Sequence, residues 1–434
     1  MHRGRLANTF GSEQVIEPAM DCPVSMLAED VSPQGGSVAP KAKLEVTLLT
    51  GGFDRPYAFG LAMALVSRDI SLDVIGSDEV DSPEMHTSLN LRFLNLWPAQ
   101  RAGATPTSRL WRIVRYYLRL LRYSAVAKPR VFHILWNNKF QLIDRTLLML
   151  CYKGFGKKVI LTAHNINQGK RDSTDSFVNR ITLKIQYRLA DHIFVHTKKM
   201  KEELVENFGV SERAVTVIRH PLNNAFPDTH LTSPDAKRRL GLQDSEKAIL
   251  FLGRIKPYKG LEHLLAAFQQ LATSTAHYRL IIAGESQKAN KAYLDEIRQR
   301  VARELDRGQI IMRVQFIPDD EMELYLKAAD VLVLPYNEIF QSGVLFLAYS
   351  FGLPVIATDI GSFREEIVEG KTGFLCRAAD SADMAKTIEA YFASDLYENL
   401  TKRRQEIRDH ASIHHSWDAV GDLTRNVYEE FTRN

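Results

Sequence analysis

Short apolar runs recur along this chain, each set off from the next by glycine turns or by stretches of helical periodicity, and this alternation limits the fold more than any other feature. The first run, residues 44–49 (Leu-Glu-Val-Thr-Leu-Leu), stops at Gly51-Gly52; a helical pattern over 57–68 and a second run over 72–75 follow. Strand, glycine turn, helix and strand make a βαβ opening, whose strands lie parallel. Further runs at 131–135, 159–162, 192–197 and 215–218 come with helical patterns over 177–190 and 198–208. Strands covered on both faces read as continuous apolar stretches, which is how these read.

The segment 221–244 changes character, with Asn223-Asn224, Pro227 and Ser233-Pro234, and is expected to be a linker. Beyond it the alternation restarts. Strands are predicted over 248–252, 280–283, 313–316, 331–334 and 354–357, with helices over 261–271, 293–305, 321–329 and 344–351. A chain of 434 residues is too long for one compact core, and two doubly wound α/β domains in series account for it. The expected division is a flexible leader over 1–43, one Rossmann-like domain over 44–225, a second over 245–395, and helices over 396–434 that could cross back to the first. Two such domains face each other with the C-terminal ends of their strands across a cleft, where a ligand binds.

Three segments at strand ends carry candidate chemistry. Gly253-Arg254-Ile255-Lys256-Pro257-Tyr258-Lys259-Gly260 leads from a strand into a helix and sets Arg254 and Lys259 at the mouth of the cleft. A guanidinium fork and an ammonium point charge suit a diphosphate, while a solvated basic turn capping a helix is the plainer reading. In the second segment, Pro335 to Val344, Ser342 and Gly343 open an apolar helix, whose free N–H groups can hold a phosphate or simply be capped by the serine. Two anion-friendly turns in one domain favour a nucleotide diphosphate. The third is Thr162-Ala163-His164-Asn165; a lone histidine at a strand end is commonly structural, but this one is expected to face the cleft. Gly51-Gly52 reads equally as a close approach to phosphate or as a tight turn.

The pattern Phe251-Leu252-Gly253-Arg254 with Lys259-Gly260, followed by Ala329 to Pro335, Gly352-Leu353-Pro354 and Glu369 to Phe374, resembles the retaining GT-B-fold nucleotide-sugar glycosyltransferases of family 4. The resemblance is dense over residues 249–375 and thin upstream. It implies a nucleotide diphosphate-sugar donor on the C-terminal domain and an acceptor mainly on the N-terminal one. It also implies diphosphate binding by Arg254 and Lys259, a phosphate-binding helix start at Ser342, Gly343 and Val344, a donor contact at Gly52, and His164 beside the transferred sugar. One departure stands out. The family's two glutamates, eight residues apart before Gly-x-Pro, fall here on Ile339 and Leu347. The first usually touches the sugar and the second the ribose; Glu338, one residue away, is the candidate for the first role.

The expected activity is transfer of a sugar to an acceptor hydroxyl in polysaccharide or glycolipid synthesis, with anomeric retention. A sugar-nucleotide epimerase or hydrolase, or a catalytically silent nucleotide-binding homologue, stays open. No Asp-x-Asp occurs, so no metal or other cofactor is expected. The net charge is only +4, which argues against nucleic acid as a partner. Cys22, Cys151 and Cys376 lie far apart, as in a reducing, cytoplasmic setting. Finally, Arg109, Arg112, Arg115, Arg119 and Arg122 share one arc of a predicted helix, with Trp111 at its border and Tyr116 and Tyr123 within it. That face suits either solvent or an anionic membrane presenting a lipid-linked acceptor in place of a soluble saccharide.

Overall fold

The computed structural model describes residues 43–52, 54–97, 105–138, 140–171, 174–222, 226–272 and 277–432. The expected leader falls outside them except for Lys43, as do Asn223 and Asn224 of the linker. Two sheets carry the fold. The first contains β1 (Glu45–Leu49), β2 (Ser71–Ser77), β3 (Leu91–Trp97), β4 (Val131–Ile134), β5 (Lys158–Ala163), β6 (His192–Val195) and β7 (Val215–Val217) in the order β3-β2-β1-β4-β5-β6-β7. The second contains β8 (Lys247–Leu252), β9 (Tyr278–Ala283), β10 (Ile310–Arg313), β11 (Val331–Leu334), β12 (Val355–Thr358) and β13 (Gly373–Cys376) in the order β10-β9-β8-β11-β12-β13. Pairing throughout is parallel.

The central strands form because their side chains are apolar on both faces: Val331, Leu332, Val333 and Leu334 are each completely buried. Peripheral strands were harder to foresee. β3 mixes Arg92 and Asn95 into its run and has one neighbour, to which Arg92 is tied through Asp73, with Nε to Oδ1 at 2.8 Å. β10 lies three residues earlier than the expected 313–316, because Ile310 is buried against β9 whereas Phe316 is exposed. The linker holds a helix, Ser233–Arg239, which is anchored by a buried ion pair between Lys237 and Asp330 at 2.9 Å.

The C-terminal helices join the two domains. Leu400–His414 packs on Gly343–Ser350, and Trp417–Thr432 packs on Arg55–Val66 of the first domain. Gly60 makes that contact possible, since a Cβ there would come within 2.1 Å of the Trp417 ring. The Tyr428 hydroxyl reaches His133 Nδ1 at 2.6 Å, and Arg68 donates to the Asp418 carbonyl at 2.6 Å.

The helix Pro106–Val126 corrects one expectation. Its inward stripe is Tyr116, Leu120 and Ser124, so Tyr116 is a core residue and not an interfacial aromatic. Tyr123 also turns inward, donating its hydroxyl to Asp73 Oδ2 at 2.6 Å, and the Arg112 guanidinium lies 4.8 Å above the Trp97 ring. Ring area and hydroxyl partners draw both tyrosines toward the sheet. Leu110, Trp111 and Leu118 are left outside with Arg115, Arg119 and Arg122.

Candidate active site

Strand order places the site. In each sheet the order of the strands reverses once, between β1 and β4 and between β8 and β11, and the crevice at such a switch point receives ligands. The loops that leave these four strands are Thr50-Gly51-Gly52, Leu135-Trp136-Asn137, Gly253 to Gly260, and Pro335 to Val344.

In the second domain the two predicted turns are fused. Asn337 N donates to the Tyr258 carbonyl at 2.8 Å. A Cβ on Gly260 would lie 2.0 Å from the Pro335 carbonyl oxygen, and Gly260 has φ +62°, so only glycine fits. Gly253 makes room of another kind, since its Cβ would lie 2.9 Å from Lys259 Nζ and 3.5 Å from Val344 Cγ2. Lys259 is 6% exposed, with Nζ 5.0 Å above the Tyr336 ring. Arg254 is more open, and its Nε donates to Glu285 at 2.8 Å. The helix Gly343–Ser350 starts beside them, with Val344 Cγ2 near Gly253, and a Cβ on Gly343 would meet nothing within 4 Å, so the first turn is open on that side.

His164 follows β5 in the first domain. It lines a cavity of about 490 Å³ together with Trp136, Arg145 and, from the second domain, Arg254. Its ring stacks on Trp136 at 4.1 Å and meets Tyr57 edge-on at 4.7 Å. The hydrogen bonds determine its tautomer. His196 Nδ1 is 3.1 Å from the Ile218 carbonyl, which can only accept, so that nitrogen carries the proton. Burial pushes His196 down to about 4, hence it is neutral and its Nε2 accepts. The donor is His164 Nδ1, 3.0 Å away. Burial, and after it the neighbouring His196, hold His164 well below the ordinary histidine value. Its Nε2 is therefore a bare lone pair, buried without a partner.

The remaining candidates are dispersed. Gly52, with φ +76°, lines a different cavity of about 260 Å³ with Trp97, Arg112, Tyr116 and Phe140. Glu338 is exposed on the second turn and lies close enough to Glu203 of the first domain to affect it electrostatically. Ile339 packs against the core and Leu347 is 5% exposed, so apolar packing occupies both positions where the resembling family has glutamate. Sequence reading missed His196, whose role depends on the neighbouring strand, and Arg145. The latter is 7% exposed, sits in the π-helical turn Asp144–Leu148, and donates from Nη1 to Asn179 at 2.7 Å. No local pattern in the sequence marks it, since its burial comes from the π turn that the structure shows.

Two Rossmann-like domains with loops converging from both switch points define the GT-B class of glycosyltransferase fold. Residues 55–225 match the profile of Glycosyltransferase Family 4, and residues 232–411 that of Glycosyl transferases group 1. The chain belongs to the group 1 glycosyltransferases. It is 26% identical over 283 residues to the D-inositol 3-phosphate glycosyltransferase of Corynebacterium aurimucosum, covering 63% of this chain and 66% of that relative's own length. With the same enzyme from Geodermatophilus obscurus the identity is 25% over 384 residues, covering 82% and 83%. Among solved structures, sucrose-phosphate synthase from Thermosynechococcus elongatus superposes with a TM-score of 0.70 at 19% identity, covering 90% of this chain and 99% of that one. HepE from Anabaena, in complex with UDP and glucose, superposes with a TM-score of 0.68 at 14% identity, covering 89% and 100%.

Proposed function

We propose that this protein transfers a sugar from a nucleotide diphosphate-sugar to an acceptor hydroxyl, with retention at the anomeric carbon and without a metal ion. The observation that carries this reading is the fused pair of turns at the second switch point. They hold Lys259 Nζ and Val344 beside Gly253, and Arg254 lines the cavity that His164 also lines; to these groups, with the amides of Ser342, Gly343 and Val344, we assign the diphosphate. Cations and aligned N–H groups together neutralise a leaving diphosphate as its charge develops. Leaving-group oxygen then takes the proton of the incoming hydroxyl on the same face of the sugar. His164, on the wall of the cavity that Arg254 also lines, is assigned to a hydroxyl of the transferred sugar, which its neutral Nε2 would accept once uncovered, and Glu338 on the second turn is assigned the first glutamate's role. The UDP and glucose named for HepE support a nucleotide-sugar donor. The acceptor is a saccharide or a lipid-linked molecule, used in polysaccharide or glycolipid synthesis on the cytoplasmic side.

The test is a panel of UDP-, GDP- and ADP-sugars, read first as thermal stabilisation and then as transfer or hydrolysis. One donor should raise the melting temperature and turn over equally well in EDTA; complete loss in EDTA, restored by Mg²⁺ or Mn²⁺, would defeat the metal-free reading. A second reading, nucleotide binding without turnover, is favoured by the apolar Ile339 and Leu347, and stabilisation without any transfer would establish it.

His164→Ala separates site from scaffold. Transfer should fall about tenfold, the size of one neutral hydrogen bond, with nucleotide affinity and melting temperature nearly unchanged. His196→Phe should produce part of the same loss, because His164 Nδ1 then has no acceptor to select its tautomer. Wild-type rates in both variants would make the pair structural.

A further inference from the structure

From the outer surface of the first domain we infer a membrane-docking face built from three neighbouring helical elements, with an anionic lipid bilayer as its occupant. The elements are Pro106–Val126, the helical residues 141–154 and Phe177–Leu189, which lie side by side on one face of the first sheet. Their inner sides form a single core cluster through Leu120, Tyr152 and Leu183. Their outer sides are also apolar, which a helix resting on a sheet does not require.

Of nineteen large apolar side chains exposed among the described residues, fourteen fall on these elements or their caps, between Leu110 and Ile181. Trp111 is 64% exposed, Leu118 57%, Leu142 58%, Leu147 57% and Phe177 77%. The second domain and the C-terminal helices together contribute four. Soluble surfaces scatter such residues singly, and a concentration like this marks a contact with something apolar.

Charge identifies the occupant. Arg109, Arg115, Arg119 and Arg122 are exposed on the first element, and Lys184 and Arg188 on the third. No acidic residue occurs between Met85 and Ile143. A second copy of this face would set arginines against arginines. Phosphate headgroups above hydrocarbon satisfy both features: leucines and Trp111 enter the boundary while the arginines snorkel to the phosphates. No helix among the described residues is long and apolar enough to cross a membrane, so the contact is peripheral. This differs from the arginine arc visible in the sequence, since the apolar side chains lead and the cations form the rim. The inference does not depend on the transfer reaction. Delivery of a lipid-linked acceptor to the neighbouring cavity at Trp97 and Phe140 does rest on that reading.

Flotation of the full chain, without donor, tests it with vesicles of phosphatidylcholine alone and of phosphatidylcholine and phosphatidylglycerol in equal parts. Binding to the anionic vesicles is expected, with a blue shift of tryptophan emission as Trp111 leaves water. Replacing Arg119 and Arg122 by Gln should weaken binding at low salt about fivefold per charge. The double variant Trp111→Ser, Leu118→Ser should abolish it and leave the melting temperature unchanged, since both side chains are exposed. Absence of binding to anionic vesicles overturns the inference. So does a wild-type dimer that the serine variant converts to monomer, because that would make the face a contact between copies. Failed transfer with intact flotation would count against the proposed reaction alone.

Discussion

Acidification from about pH 6.5 to about pH 4.5 should lower the melting temperature steeply, whereas raising the pH from about 6.5 to about 8 should change it little. Burial pushes His133 down to about 3, His192 to about 4, His196 to about 4 and His220 to about 3. Below the ordinary value of about 6.5 the unfolded chain binds protons that the folded chain refuses, so stability is complete above that pH and drains away beneath it. A single histidine contributes at most about 1.4 kcal/mol per pH unit, and the nearly inaccessible His133 and His196 about 2.7 kcal/mol per unit together. His133→Gln can still bond to Tyr428 and Thr162 but cannot titrate, so it should make the slope shallower. Calorimetric melting across this range is the measurement. A flat profile would mean that these rings are protonated or solvated in the folded protein.

Lys259→Met should cost transfer between ten- and a hundredfold, the equivalent of about 1.5–3 kcal/mol for a charged hydrogen bond to the diphosphate. The melting temperature should move little, because methionine keeps most of the aliphatic chain packed and the loss of the ammonium's contacts is offset by the loss of its desolvation cost. Lys259→Arg should not rescue activity. A planar fork is no substitute for a point charge at a site that Lys259 reaches by passing close over Gly253. Steady-state kinetics together with nucleotide binding would check all three statements. Full activity in Lys259→Met would remove the lysine from the diphosphate site.

Much of the architecture was legible because buried parallel strands leave unbroken apolar runs. β1, β8 and β11 are obvious for that reason, and so is the turn of Gly253 to Gly260 that follows β8. β3 was missed because an edge strand tolerates polar residues such as Arg92 and Asn95, and β13 because its four residues, opening on a glycine, are too short a run to stand out. The arginine helix was misread in part, since its period was correct but its orientation was not. Five arginines on one arc look like a solvent face until Arg112 is found stacked on Trp97 and Tyr116 is found in the core.

The sequence by itself determined most of the elements, their parallel pairing and the two basic or helix-opening turns, because each depends on residues close together in the chain. Only the tertiary structure decided that Tyr258 and Asn337 join those turns, that His164 shares a cavity with Arg254, and that His196 leaves His164 Nε2 as a lone pair. It also decided that three separate helices turn apolar sides to the same surface. Such relations depend on which strands become neighbours and which way each helix rolls on the sheet. Burial summed over the whole chain sets both, and no single segment encodes them.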